Sequence, residues 1–486
     1  MVIKQKSKTA VIAFLTSLII GLPLAVAPSV HAAEAFPEEA KLLSGVTQIE
    51  AGSRSAYATT EDGTVWAWGG GYTSLGNGSK LPAYTPVKVH IDQVKQVSSG
   101  YRHTLFLHDD GTVSAVGGNE HGQLGTGAKS QELAMEPVQV ADLKDIVSVS
   151  AGDGFSLALD KDGAVWAWGN NEQGQLGNGL RTSALKPIKV EGIPQAVAVE
   201  AGTYVSLAID SDGQIWVWGL KRNAETEEIR KPAKLQGSGK FKAAAVDFED
   251  GVALDTDGGV WTWKNYFWID EADNTLAPSR IPGLTDVVSV TRDAAVKADG
   301  TVWTWTRDGD GKIKATQVKG ISGAVSITGD VRNHYVLLKD SHVIAWGSNE
   351  WGQTGLGLRD TEITTPQLVK KSIKVVLNGT ETELAMPPLL INGRAYVPLR
   401  GVFEQAGVTP KWDVSTRSVI AEKGETKIVL NSVSGSVTVN GKAIVSEQKP
   451  VFVGNDSVYV PLRLIGETLG AKVEWLAEDY TVRITF

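Results

Sequence analysis

An Asp-Gly turn followed by a short strand that ends in an aromatic residue and Gly recurs along this chain. It reads Asp62-Gly63-Thr64-Val65-Trp66-Ala67-Trp68-Gly69, then Asp110-Gly111-Thr112-Val113-Ser114-Ala115-Val116-Gly117. It returns from Asp162 to Gly169 and from Asp212 to Gly219, and in worn form from Asp257 to Trp263, Asp299 to Trp305 and Asp340 to Gly347. Successive Asp residues lie 41 to 52 positions apart. A period of that size belongs to propellers and repeat arrays, in which each supersecondary unit needs its neighbours to bury its faces.

The third unit shows the parts. Ile146 to Ser150 alternates apolar and polar residues, Ala151-Gly152 breaks the run, and Phe155 to Leu159 forms a second run. Asp160-Lys161-Asp162-Gly163 reads as a tight turn, because Gly tolerates positive φ and Asp bonds its own backbone. Ala164 to Gly169 is the return strand, Asn170 to Gly179 a Gly- and Asn-rich loop, and Pro187 to Val190 a last strand. Seven such units, each of about four strands, fit between residues 46 and 370. The expected fold class is an all-β seven-bladed propeller, followed by a small α+β domain. An open solenoid is the alternative; radial closure protects sheet edges better.

These repeats resemble those of the regulator of chromosome condensation family. The resemblance rests on Ala-Gly, on Asp-Gly-x-Val-x-x-Trp-Gly and on the glycine loops Leu75 to Gly78, Gly122 to Gly127, Gly174 to Gly179 and Gly352 to Gly357. Repeats four to six lack that loop, so their loops should differ. The resemblance implies a propeller. The eukaryotic namesake is a nuclear exchange factor for a small GTPase, an activity not carried over to an acidic chain with an export signal. The same propeller type resembles a secreted bacterial inhibitor that caps β-lactamases.

After Ser372 the repeat changes. Tyr396-Val397-Pro398-Leu399-Arg400 recurs as Tyr459-Val460-Pro461-Leu462-Arg463, and Lys411-Trp412 recurs as Glu474-Trp475. This is a duplicated strand–helix–strand unit. Pro suits a first helical turn; Leu399, Val402 and Phe403, like Leu462, Ile465 and Leu469, make one helical face; Gly407 and Gly470 end the helices. Trp412 and Trp475 are expected to begin the return strands. The pattern resembles the copper amine oxidase N-terminal-like domain common in secreted bacterial proteins, which in the oxidase is a stalk outside the catalytic domain. No His follows His342, so no imidazole copper site is expected here, nor a quinone or any other cofactor.

Lys4, Lys6 and Lys8 precede an apolar stretch from Ala10 to Val26, and Val30-His31-Ala32 offers a small-residue cleavage site. Residues 1–32 therefore read as a signal peptide, 33–45 as a lead-in, 46–370 as the propeller and 372–486 as the C-terminal domain, with no transmembrane segment after cleavage. A secreted, extracellular or cell-wall-associated protein is expected. The chain has no cysteine, which excludes disulfides and thiolate chemistry. Basic and acidic residues balance at 12 each from Ser372 onward, leaving the middle at −11, the wrong sign for nucleic acid.

The candidate sites are few. The turns after each first strand carry varied residues on a constant scaffold: Arg54, Tyr101 and Arg102, Asp153, Tyr204, Asp250, Arg292 and Asp293, Asp330 and Arg332. They read as one structural position repeated around one end of the disc, and so as a binding face. The Trp pairs, from Trp66/Trp68 to Trp303/Trp305, read as blade-to-blade packing, whereas Trp268 and Trp351 lie off that ladder and are candidates for sugar stacking. The Asp-x-Asp-Gly turns at Asp160, Asp210 and Asp255 lack the further ligands of a calcium loop, so no metal site is assigned. His103 and His108 share a hairpin with Asp109 and Asp110, but no catalytic motif surrounds them. The expectation is a non-catalytic binder of an extracellular protein or cell-wall glycan, with no nucleic acid and no GTPase partner. The alternatives are an inhibitor that caps a secreted enzyme and a lyase or hydrolase with its site in the propeller channel.

Overall fold

The computed structural model describes residues 41–70, 74–221, 228–237, 239–247, 250–264, 278–308, 312–330, 332–357, 361–382, 384, 386–391, 393–444, 446, 448–453, 457–477 and 480–486. The expected leader and Trp268 lie outside them. The described chain is mostly β, with two helices.

Four-stranded antiparallel meanders follow one another. The first runs Val46–Ala51, Ser55–Thr60, Val65–Gly69 and Ala83–Lys88, in that order across the sheet. The same order recurs in sheets whose first strands are Val94–Ser99, Ile146–Ala151, Ala196–Ala201, Phe241–Val246, Val287–Val290 and Ala324–Gly329. The strands of the third unit form where the alternation places them, at Ile146–Ala151, Phe155–Asp160, Val165–Gly169 and Ala184–Val190. In the fourth and fifth sheets the last strand shrinks to Ala233–Lys234 and Ser279–Arg280.

The apolar core lies between consecutive sheets. Leu105, Leu107 and Val113 of the second sheet pack on Ile146, Val149 and Trp168 of the third. Leu43, Val46 and Trp68 of the first pack on Tyr335, Val343 and Val369 of the last. Both rings of each Trp pair join the same seam, as for Trp66 and Trp68 or Trp261 and Trp263, which bears out the packing reading of the ladder.

The glycine loops hold these seams. Trp68, Trp168 and Trp218 are fully buried and donate Nε1–H to the backbone oxygens of Gln353, Gln123 and Gln175, at 2.7, 2.8 and 2.8 Å. Each Gln lies in the glycine loop of the adjacent sheet. Gly125 adopts φ +64°, and a Cβ there would sit 2.9 Å from the Trp168 Nε1. Glycine is required because the loop backbone touches the next sheet's indole.

The Asp-x-Asp-Gly turns explain themselves. Asp160 Oδ1 accepts from the Asp162 and Ala164 N–H groups, and Oδ2 accepts from Trp166 Nε1 at 3.0 Å. Asp210 and Asp255 do the same with Trp216 and Trp261. These carboxylates are structural turn caps.

In the C-terminal part, Arg394–Pro398 and Ser457–Pro461 are antiparallel neighbours, with Tyr396 opposite Pro461, Val397 opposite Val460 and Pro398 opposite Tyr459. The two Pro-Leu-Arg motifs thus meet head to tail. The helices differ from expectation. The second, Leu462–Thr468, starts directly after Pro461, but the first is only Val402–Gln405. Its N-cap is Gly401 at φ +94°, with Glu404 accepting from the Gly401 N–H at 3.2 Å, so Leu399 is buried but precedes the helix. Gly407 and Gly470, both at positive φ, follow the two helices as expected. Trp412 and Trp475 sit fourth in Thr409–Asp413 and Lys472–Leu476, within the return strands and not at their starts.

The described residues form one compact unit. Tyr84 of the first sheet packs with Met386, Leu389, Tyr396 and Tyr459. The Lys371 N–H donates to Lys41 O at 2.7 Å, and Ser372 Oγ reaches Thr85 Oγ1 at 3.1 Å and also contacts Pro86 O.

Candidate functional site: the channel and its charged mouth

The first strand of each sheet presents an unpaired edge, and such edges need satisfying. Here the satisfaction comes from side chains of the neighbouring sheet. Thr328 Oγ1 accepts from the Ala51 N–H (3.3 Å), Ser98 Oγ from Ala151 (3.1 Å) and Ser150 Oγ from Ala201 (2.9 Å). One level away, Gln96 exchanges two hydrogen bonds with the Val149 backbone, at 3.2 and 3.1 Å. Ser289 meets the Ile327 N–H at 3.1 Å. Gln96, Ser98, Ser150 and Thr328 line a cavity of about 630 Å³ bounded by the first strands.

Two carboxylates break the neutral wall. Glu50 and Glu200 occupy the register position that holds Ser98, Ser150 and Thr328 elsewhere. Glu50 Oε1 accepts from the Ser99 N–H and Glu200 Oε2 from Ser150 Oγ, each at a long 3.4 Å. Both keep partial access to the cavity but are enclosed by protein. Burial pushes the Glu50 carboxyl up to about 8, with the Glu200 charge adding to it, and burial pushes Glu200 up to about 7. Spacing alone gave no sign of them, because their neighbours at that position are small hydroxyl residues.

At one end of the cavity the turns between first and second strands converge. Arg54, Tyr101, Asp153, Arg292, Asp330 and Arg332 line it, so six of the expected binding-face residues come together. Asp247 and Thr203, missed in the sequence, join them: Arg292 pairs with Asp247 at 2.8 Å, and Thr203 Oγ1 donates to its other oxygen at 2.5 Å. Tyr101 is 45% exposed and Arg332 is exposed. Burial raises Asp153, with Arg102 opposing, and burial likewise raises Asp330 against hydrogen bonds from the Arg332 and Asn333 N–H groups.

Arg102, Tyr204, Asp250 and Asp293 do not line the cavity. Strand register alone does not separate these from the lining residues. Ala51 pairs with Ala56 and Ser99 with Thr104, so Arg102 is equivalent to Arg54 and Tyr101 to Ser53. The varied residues therefore occupy more than one turn position, which corrects the single-position reading. Arg102 turns to Glu120 at 3.0 Å, Asp293 to His334 at 3.0 Å and Asp250 to Arg307 at 3.5 Å. Trp351 lies under the Arg54 guanidinium, 5.7 Å from its centre, so its ring joins the mouth. His103 is buried against Ser156 Oγ at 2.7 Å, and burial lowers it to about 3, leaving a neutral core imidazole. Among the described residues no group of three or more His, Cys, Asp or Glu could hold a metal.

Residues 23–247 match the RCC1-like domain, and residues 376–484 match the copper amine oxidase N-terminal domain. The chain carries an RCC1-like domain followed by a copper amine oxidase N-terminal domain. The start of the first match overlaps the stretch read as a leader. The chain is 30% identical over 149 residues to the ultraviolet-B receptor UVR8 of Arabidopsis thaliana, covering 29% of this chain and 34% of that protein. It is 33% identical over 140 residues to the human E3 ubiquitin-protein ligase HERC2, covering 28% of this chain and 3% of the ligase. The chain thus spans about a third of one of these curated relatives and a small fraction of the other. Yeast RCC1 (Prp20), solved bound to Kap60, superposes with a TM-score of 0.43 at 20% identity, covering 67% of this chain and 75% of that one. The described part of the RCC1-like match takes in the first four of these four-stranded sheets.

Proposed function

We propose that this protein is an exported, non-catalytic binding protein. Its sheets form a closed seven-bladed propeller that recognises an extracellular protein or a cell-wall glycan, and its duplicated C-terminal unit serves as a stalk or wall-associating module. Closure is supported by the core shared between the first and last sheets and by the Trp68–Gln353 bond. Export is supported by the basic, apolar and small-residue order of residues 4–32.

The observation that carries the binding reading is the convergence of Arg54, Tyr101, Asp153, Arg292, Asp330 and Arg332 on one cavity mouth. A fixed hydrogen-bonded wall surmounted by varied charged and aromatic tips is how recognition surfaces are built. A ligase role is not carried over, since the matched segment is 3% of HERC2, nor is a GTPase partner, since the likeness to RCC1 is at 20% identity. The test is capture of partners from the producer's wall fraction and secreted proteins by residues 33–486, compared with a Tyr101→Ala/Arg332→Glu variant. Saturable capture lost in the variant is the expected result; undiminished capture contradicts the assignment. Stoichiometric capture of one secreted enzyme would make the protein a capping inhibitor. The Glu50–Glu200 pair favours a second reading, a channel hydrolase or lyase, in which Glu50→Gln would abolish turnover.

A further inference from the structure

We propose that the copper amine oxidase N-terminal domain binds carboxylate-bearing sugar rings in a groove floored by Trp412 and Phe452, an inference that deepens the reading of this domain as wall-associating. The two halves of the domain treat their tryptophans differently. Both pack half-buried against the domain's core cluster, but Trp475 stands edge-on to a buried member of it, Tyr480, at 5.2 Å and 76°. Trp412 stands edge-on to Phe452, at 5.0 Å and 82°, and this pair opens on a groove of about 390 Å³.

The groove's rim is unusual. Val414 and Val433 line it at 76% and 60% exposed, the most exposed large apolar side chains among the described residues. Beside them stands Arg417, exposed and at φ +50°, a left-handed conformation that a long side chain seldom adopts. The Ser432 N–H and Oγ both donate to Arg417 O at 2.9 Å, which fixes the turn and leaves the Ser432 hydroxyl oxygen able to accept. Lys449 Nζ, bonded to Val433 O at 3.1 Å, adds a second cation nearby. The nearby acid, Asp413, is engaged by Ser415 and Thr416 and held down to about 2 by those bonds.

An indole face with a perpendicular phenyl wall suits the flat C–H face of a pyranose, whose equatorial hydroxyls then point to the polar rim. A planar guanidinium fork at that rim matches a carboxylate bidentately, which singles out acidic sugars from neutral ones.

The test is calorimetric titration of residues 33–486 with tetragalacturonate and, separately, with neutral cellotetraose. Saturable binding of tetragalacturonate is expected, at least tenfold weaker in Arg417→Gln and several-fold weaker in Trp412→Phe, which keeps the core packing. Cellotetraose should bind at least tenfold more weakly and be indifferent to Arg417→Gln. Unchanged melting of Arg417→Gln confirms that the fold is intact. No binding of tetragalacturonate, equal binding of cellotetraose, or undiminished binding by Arg417→Gln overturns the proposal. The Tyr101→Ala/Arg332→Glu variant should titrate normally, so loss of partner capture at the propeller mouth and failure of the sugar site are read separately.

Discussion

Glu50 and Glu200 stand where a ring of hydroxyls would have been sufficient to join the sheets. Their carboxyls are raised from an ordinary 4.5 to about 8 and about 7, so the folded protein holds more protons than the unfolded chain across that window. Stability therefore falls as pH rises from about 4.5 to 8. Glu50→Gln keeps an acceptor for the Ser99 N–H and removes one titration. Its melting temperature should vary less with pH across that window, and it should exceed the parent's at the alkaline end. An unchanged pH profile would contradict the burial argument. The indole bonds behave differently, because each loop carbonyl takes two donors: Gln123 O accepts from both Trp168 Nε1 and Ser156 Oγ. Trp168→Phe and Ser156→Ala alone should each cost about 1–3 kcal/mol, the latter because it also takes the partner of His103, while the double variant should cost more than their sum, since a buried carbonyl is then left without a partner. Chemical denaturation of the four proteins of that cycle measures it. At this scale the sequence was only half readable. The glycines and Trp pairs announced packing, but the direction of each turn residue depends on the partner its side chain finds. At one register position Arg54 faces the mouth while Arg102 pairs with Glu120.

Among the elements, strands were legible wherever period-two alternation met a Gly or Asp-Gly punctuation, as in Ile146–Ala151 and Phe155–Asp160. The short helix Val402–Gln405 was less so. Pro398 signals a helix start, but it is still paired in its strand opposite Tyr459, and the chain turns only at Gly401. Nothing in the sequence singles out Tyr84, yet it packs the first sheet against Met386, Leu389, Tyr396 and Tyr459. No periodicity within either domain can report a contact between them. Tyr84→Ala should cost about 3–5 kcal/mol by opening that cluster, an amount typical of a large buried aromatic. Calorimetry should show the C-terminal part melting earlier and apart from the sheets; one unbroken, unshifted transition would contradict the coupling.

At the scale of the whole molecule, the proposed ring has a hydrogen-bonded wall interrupted by two carboxylates, a mouth of varied charge, and a last sheet that shares a core with the first. The repeat period forecast the sheets, and the seams between them follow from burying two faces per sheet. The channel carboxylates were not forecast, because a Glu amid Ser and Thr equivalents has no signature until the strands stand around one axis. The mouth as a recognition surface is the central claim. It is tested most directly by hydrogen-exchange footprinting of residues 33–486 with and without the captured partner. The account predicts new protection confined to the turns at Arg54, Tyr101, Asp153, Arg292 and Arg332. Protection confined to the opposite end, at the Asp62, Asp110 and Asp162 turns, would contradict it.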